Sequence, residues 1–188
     1  MQVVLIGLGR MGANMARRWA RGGVSVIAFD QSPEARAAVA ETGIHPVERL
    51  ADALVAGGAR GERVVWLMLP AGEVTESTIA TLLPQLARGD LLVDGGNANY
   101  KDTLRRAANA NAVGIEYADV GVSGGVWGLA NGYCVMAGAS AAVRAGRGSY
   151  PQCLNSWAMA MSPQAPRASR RWPESVSGRS SGISTIWM

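Results

Sequence analysis

Gly7-Leu8-Gly9-Arg10-Met11-Gly12 reads G-x-G-x-x-G, and the chemistry open to such a segment is the cradling of phosphate by main chain. The first glycine permits a tight turn, the second lets backbone approach a pyrophosphate, and the third lets a helix lie close against a strand. Unpaired N–H groups and the positive end of the helix dipole then face the anion. The pattern has force here because it directly follows the apolar run Gln2–Gly7 and opens an amphipathic stretch. Its plain alternative is a glycine turn that holds nothing. Asp30 stands 18 residues beyond Gly12, at the end of a second apolar run. A carboxylate there accepts from an adenosine 2′-hydroxyl and repels a 2′-phosphate, so the expected cofactor is NAD. NADP stays open, because a loop can swing the carboxylate aside and Arg36 is the next cation downstream.

Three further loops follow apolar runs. Leu69 and Pro70, with Ala71-Gly72, come after VVWLML, and a loop at a strand's carboxyl end should border the nicotinamide half of a dinucleotide. Asp94-Gly95-Gly96-Asn97 follows LLVD; its glycines admit a ligand close to backbone, and Asn97 offers both a donor and an acceptor. Gly121-Val122-Ser123-Gly124-Gly125 sets a hydroxyl beside exposed N–H groups, a pairing that can take carboxylate or phosphate. Taken singly, each of these loops could equally be a structural turn.

The elements that must position these loops alternate. Strands are expected at Gln2–Gly7, Val24–Phe29, Val64–Leu69, Leu91–Asp94, Tyr117–Val120 and Tyr133–Ala137. Met11, Met15 and Trp19 share one helical face, and Gly22-Gly23 stops that helix. Ser32-Pro33-Glu34 supplies a cap, a proline and an early acid for a helix running to about Thr42. Further helices are expected near 47–56, 74–88 and 100–111, with Pro84 bending or breaking the second of these. Alternation of this kind predicts an α/β fold with a doubly wound, mainly parallel sheet.

That grammar covers residues 1–142. Residues 143–188 form an irregular basic tail holding four of eight prolines, nine serines, three tryptophans and six arginines against one acid. Residues 1–142 carry 12 basic and 13 acidic side chains, so the net charge of +4 belongs to the tail and not to a folded basic face. Nucleic acid is therefore not the expected partner. The tail reads as weakly ordered and either out of frame or a genuine basic extension, a choice that the other two reading frames would decide. Cys134 and Cys153 match no metal spacing, and no run approaches the ~20 apolar residues of a membrane span. A reducing, cytoplasmic setting is expected, with no metal site.

The ordered motifs GLGRMGANMA, DGGNANYKDT and DVGVSGGVWGLANGY together resemble the N-terminal cofactor domain of decarboxylating 6-phosphogluconate dehydrogenases, in particular their shorter, NAD-preferring branch. The resemblance covers roughly residues 1–140 and implies a Rossmann-type domain. It implies that Asn97 sits between nicotinamide and substrate, and that Ser123, Gly124 and Gly125 hold the sugar-acid end. The family activity it implies is oxidative decarboxylation of 6-phosphogluconate to a pentulose 5-phosphate. The related 3-hydroxyisobutyrate-type dehydrogenases usually carry a serine/threonine pair in place of Gly95-Gly96-Asn97, and are the alternative within the enzyme class. A non-catalytic NAD(H)-binding domain is the alternative outside it. The chain departs from the family in lacking G-x-G-H-x-x-K-x-x-x-N. Lys101, its one lysine, opens a helix among polar neighbours, and His45, its one histidine, precedes Pro46 in a loop. Neither is nominated as a catalyst. The expectation is a cofactor-binding fragment without turnover, its family's helical dimerisation domain absent.

Overall fold

The computed structural model describes residues 1–140 and Val143. The strands are β1 (Gln2–Ile6), β2 (Ser25–Phe29), β3 (Ile44–Pro46), β4 (Val64–Leu67), β5 (Leu91–Asp94), β6 (Glu116–Ser123) and β7 (Cys134–Ala139). The helices are α1 (Arg10–Arg21), α2 (Pro33–Ala37), α3 (Leu50–Ala56), α4 (Glu73–Leu82), α5 (Tyr100–Ala112) and α6 (Gly128–Asn131). One sheet takes the order β3-β2-β1-β4-β5-β6-β7, parallel from β3 through β6 and antiparallel at β7. This is the Rossmann-type, doubly wound α/β arrangement, with its order reversing between β1 and β4.

The pleat sends alternate residues of each strand to two cores. Val3 and Leu5 of β1 face one side with Met15 and Trp19 of α1, where the Trp19 and Trp66 rings meet edge to face at 5.2 Å. Val4 and Ile6 face the other with Ile79 and Leu82 of α4 and Ala110 of α5. Burial on both faces explains why the inner strands read as unbroken apolar runs rather than alternating ones.

Several expectations are corrected. The helix expected to reach Thr42 ends at Ala37. Its continuation is spent on turns, with Val39 N–H donating to Arg36 O and Ile44 N–H to Glu41 O, so that Val39 enters the core fully buried. Ile44–Pro46, expected as a loop, is the edge strand β3; three residues ending in proline carry no strand signal, yet an edge tolerates both. His45 therefore lies on a strand and not in a loop, and is exposed. The segment at 74–88 ends as an α-helix at Leu82 and tightens into a 3-10 turn at Leu83–Gln85, where Pro84 interrupts it as anticipated. Strand β6 extends beyond Val120 through Ser123, and the strand expected from Tyr133 begins at Cys134. The basic tail lies, apart from Val143, outside the described residues.

Candidate functional site

The carboxyl ends of β2, β1, β4, β5 and β6 bring the expected site residues onto one edge of the sheet in the order Asp30, Gly7–Gly12, Leu69-Pro70, Asn97, Ser123–Gly125. Four inter-strand spacings of ~4.8 Å make that row ~19 Å long. It lies at the reversal of strand order, where open α/β sheets bind ligands.

Gly7 turns the chain out of β1 with φ 98°, a left-handed conformation in which a side chain would also collide with the Met68 carbonyl oxygen. Gly12 lies against the Gly7 carbonyl so closely that a Cβ would fall inside contact distance, which seats α1 against the end of β1. Gly9 differs. It is exposed, extended at φ −60° and ψ −177°, and a Cβ built on it meets nothing within 4 Å. No side chain caps α1 at Gly9 and no acid lies in its first turn, whereas α4, which also starts at an uncapped glycine, carries Glu73 and Glu76 there. The first-turn N–H groups of α1 thus have no intrahelical partner, and Gly9 at their head has open space in front of it. A phosphate fits that arrangement. Arg10 is exposed at the same helix end, and Met11 is half-buried behind it.

Asp30 is half-buried, and its carboxylate joins two loops. Oδ2 accepts from Leu8 N–H at 2.7 Å and Oδ1 from Ser32 N–H at 2.9 Å. Each carboxylate oxygen has a second lone pair, so a ribose diol can still donate to it. Arg36 donates to the Asp30 and Gln31 carbonyl oxygens at 2.7 and 3.2 Å, which brings its guanidinium to the end of β2 without pairing the carboxylate. A crevice of about 440 Å³ opens between Asp30, Gly7, Phe29, Leu69, Pro70 and Val74. Its lining is mainly apolar but includes Asp30, Gln31 and the hydroxyls of Ser77, Thr78 and Thr81, suiting a base and its ribose.

Of the other loops, Leu69 and Pro70 line this crevice, while Asn97 and Ser123–Gly125 lie outside its lining, farther along the sheet edge. Pro70 O accepts from the buried Thr75 hydroxyl at 2.8 Å, which pins the Leu69–Gly72 loop onto α4. Asn97 is exposed at φ 59°, and is the non-glycine residue with positive φ among those described. Asparagine tolerates this conformation better than most side chains. Ser123 is exposed as the last residue of β6, a correction to its expected place in a loop, and Gly124 and Gly125 turn the chain from it with positive φ. Arg18 of α1 donates to the Leu129 carbonyl at 3.0 Å, tying α1 to α6 just beyond these glycines.

Sequence reasoning missed a buried charge cluster behind the β5 and β6 ends. Asp94 Oδ2 accepts from Arg106 Nη1 at 2.7 Å and from the Tyr117 hydroxyl at 3.1 Å, while Oδ1 accepts from Gly96 N–H at 2.9 Å. Arg106 also pairs with Glu76, which Arg105 engages from outside at 2.7 and 3.1 Å. Hydrogen bonding from Arg105, then Arg106, holds the Glu76 carboxyl down at about 2 in spite of partial burial. Burial would lower the Arg106 guanidinium, but Glu76 and Asp94 outweigh it and hold it above its ordinary value. Burial, then the Asp94 charge, pushes both the Tyr117 hydroxyl and the Asp119 carboxyl up. The available signal was Arg106 itself, a charge on the helical stripe that carries Ala110. Lys101 is exposed at the start of α5, and its backbone N–H donates to the capping Asn99.

Residues 2–150 match the family model of the NAD binding domain of 6-phosphogluconate dehydrogenase. The chain belongs to the 6-phosphogluconate dehydrogenase family. It is 41% identical over 138 residues to the NAD(+)-dependent, decarboxylating 6-phosphogluconate dehydrogenase of Haloferax volcanii, an alignment covering 73% of this chain and 44% of that one. It is 38% identical over 141 residues to the decarboxylating enzyme of Staphylococcus aureus, covering 73% and 30%. The chain thus spans less than half the length of these relatives. Among solved structures, 3-hydroxyisobutyrate dehydrogenase of Mycobacterium tuberculosis is similar at TM-score 0.70 and 28% identity, over 86% of this chain and 52% of that one. The 6-phosphogluconate dehydrogenase of Plasmodium falciparum shares the fold at TM-score 0.75 and 23% identity, over 86% and 34%. This family's NAD-binding domain is therefore what the described residues form, and the cofactor class is nicotinamide dinucleotide. Among the described residues no helix is long and apolar enough to cross a membrane.

Proposed function

We propose that this chain supplies the nicotinamide-binding half of an oxidative decarboxylation of 6-phosphogluconate to a pentulose 5-phosphate. The observation that carries the reading is the uncapped start of α1 with open space at Gly9, and Asp30 accepting at 2.7 Å from the preceding amide, that of Leu8. The amides following Gly9 take the pyrophosphate, with Arg10 beside it and Met11 backing the turn. Asp30 takes the adenosine ribose and favours NAD. Leu69 and Pro70 border the nicotinamide. Asn97 stands between nicotinamide and substrate with both a donor and an acceptor, and Ser123, Gly124 and Gly125 take the sugar acid. A bound nicotinamide supplies the hydride acceptor.

Moving the substrate's hydroxyl proton needs a base within about 3 Å of it. Among the described residues neither Lys101 nor His45 lines the crevice, which supports the reading that the 188-residue chain binds cofactor without turning substrate over. Calorimetry with NAD and NADP on the purified chain tests the binding, with tighter binding of NAD expected. No heat from either nucleotide, with a folded circular dichroism spectrum, overturns it. Absorbance of reduced cofactor in the presence of 6-phosphogluconate tests the second statement, and steady accumulation overturns it. Likeness to the Mycobacterium tuberculosis enzyme favours a second reading, oxidation of a 3-hydroxyisobutyrate-type acid. Substrate-dependent tightening of NADH binding by one acid and not the other separates the two.

A further inference from the structure

We propose that Arg106 is a positioning residue for the nicotinamide and substrate end of the crevice, acting through Asp94 and Glu76 and touching no ligand itself. The inference rests on the dinucleotide reading above. Arg106 is 2% exposed. Its Nη1 donates to Asp94 at 2.7 Å, and its Nε donates to Glu76 at 2.8 Å. These two carboxylates stand beside the two loops assigned to the nicotinamide end, one at the end of β5 and one in the first turn of α4. Asp94 ends β5 and, through Oδ1, accepts the Gly96 amide immediately before Asn97. Glu76 lies in the first turn of α4, directly after the Leu69–Gly72 loop, and its neighbour Thr75 holds Pro70 O. One planar guanidinium therefore spans both loops with donors in a fixed fork, which an ammonium could not do. Tyr117, from β6, adds a second donor to the same Asp94 oxygen and brings the strand leading to Ser123 into the network.

Asn97, the residue after Gly96, sits at φ 59°. Such a conformation persists when its surroundings over-determine it, and Asp94 is the group that fixes the preceding amide. The adenosine end depends on different contacts, those of Asp30 with Leu8 and Ser32, on the far side of β1. Loss of the fork should therefore loosen one end of the ligand and spare the other.

The test compares NADH with ADP-ribose, which lacks the nicotinamide, by calorimetry on the full 188-residue chain, together with the rise in NADH emission on binding. Wild type should bind NADH more tightly than ADP-ribose. In Arg106→Met the NADH dissociation constant should rise at least fivefold and the emission rise should be lost, while ADP-ribose stays within twofold. Arg106→Lys, keeping the charge without the fork, should recover only part of the difference. If Arg106→Met shows no cooperative unfolding, Tyr117→Phe and Glu76→Gln decide, each expected to weaken NADH two- to fivefold with ADP-ribose unchanged. Equal weakening of both ligands, or none of either, overturns the positioning role. Failure of ADP-ribose to bind wild type overturns the dinucleotide reading instead, and this inference with it.

Discussion

Adding one methyl group at Gly9 and at Gly12 should separate ligand binding from folding. At Gly9 the backbone is extended in a region alanine adopts freely, and the new Cβ would meet nothing within 4 Å. Gly9→Ala should therefore leave stability unchanged or raise it by up to about 1 kcal/mol, through the smaller freedom of the unfolded chain. The same methyl occupies the space where a phosphate must approach the amides of α1. Pushing the phosphate back by ~1 Å stretches a ~2.9 Å hydrogen bond beyond useful range. One charge-assisted bond lost is about 1.5–3 kcal/mol, or roughly 10- to 150-fold in affinity. At Gly12 the effects reverse. Alanine is about 1 kcal/mol the better helix former, but its Cβ falls on the Gly7 carbonyl oxygen and 3.3 Å from Met68 Cβ. Neither can retreat without moving α1 off β1, so Gly12→Ala should cost about 1–3 kcal/mol net. Urea unfolding followed by circular dichroism reads the stability of each variant, and calorimetry with NAD reads the affinity. Gly9→Ala binding NAD within twofold of wild type would refute the phosphate cradle. Gly12→Ala as stable as wild type would refute the packing argument.

Three further outcomes are expected. Asp30→Ala should weaken NAD roughly 10- to 100-fold and NADP much less, because a lost acceptor for the ribose is offset by lost repulsion of a 2′-phosphate; paired titrations read the ratio. Asp90, fully buried at the opposite end of the sheet, accepts from the amides of Gly61, Arg63 and Ala87 at 2.7–3.0 Å and pairs with the Arg63 guanidinium at 2.8 Å. Asp90→Ala should cost about 3–5 kcal/mol in urea unfolding and leave NAD affinity per folded molecule unchanged. Glu76 titrates at about 2 in the folded chain against an ordinary 4.5, so its protonation favours unfolding. Its stabilisation is complete above 4.5 and is lost as the pH falls toward about 2. Glu76→Gln should flatten that acid limb in a series of unfolding midpoints.

Much of the architecture was legible because strong local signals agreed with one another. The run QVVLIG, the glycines after it and the Met11, Met15, Trp19 face specify strand, turn and helix independently, and the structure joins them as β1 and α1. The expected sheet, its mainly parallel sense and the cofactor class follow from that agreement. Where a local signal stood alone it was less secure. The capping triad Ser32-Pro33-Glu34 starts α2 as expected, with Ser32 Oγ accepting from Ala35 N–H at 3.1 Å, but says nothing of where the helix ends. The end is set by Val39 reaching the core and by β3 pairing with β2, contacts between distant segments. The antiparallel course of β7 has a similar origin. A short connection through α6 returns the chain beside β6 without room for a full crossover.

The amino-acid order by itself determined the alternation of strands and helices, the glycine turn between β1 and α1 and the acid 18 residues beyond it, because each depends on neighbours along the chain. Only the tertiary structure decided that Asp30 would grip Leu8, that Asn97 would sit in a left-handed conformation, and that Arg106 would join Asp94 to Glu76. A charge at a helical position has the same local preference whether solvent or two carboxylates await it. Which of these it meets depends on how α4, β5 and α5 pack. In this fold they close around Arg106, and a residue with the pattern of a surface helix becomes the buried link between two loops of the crevice.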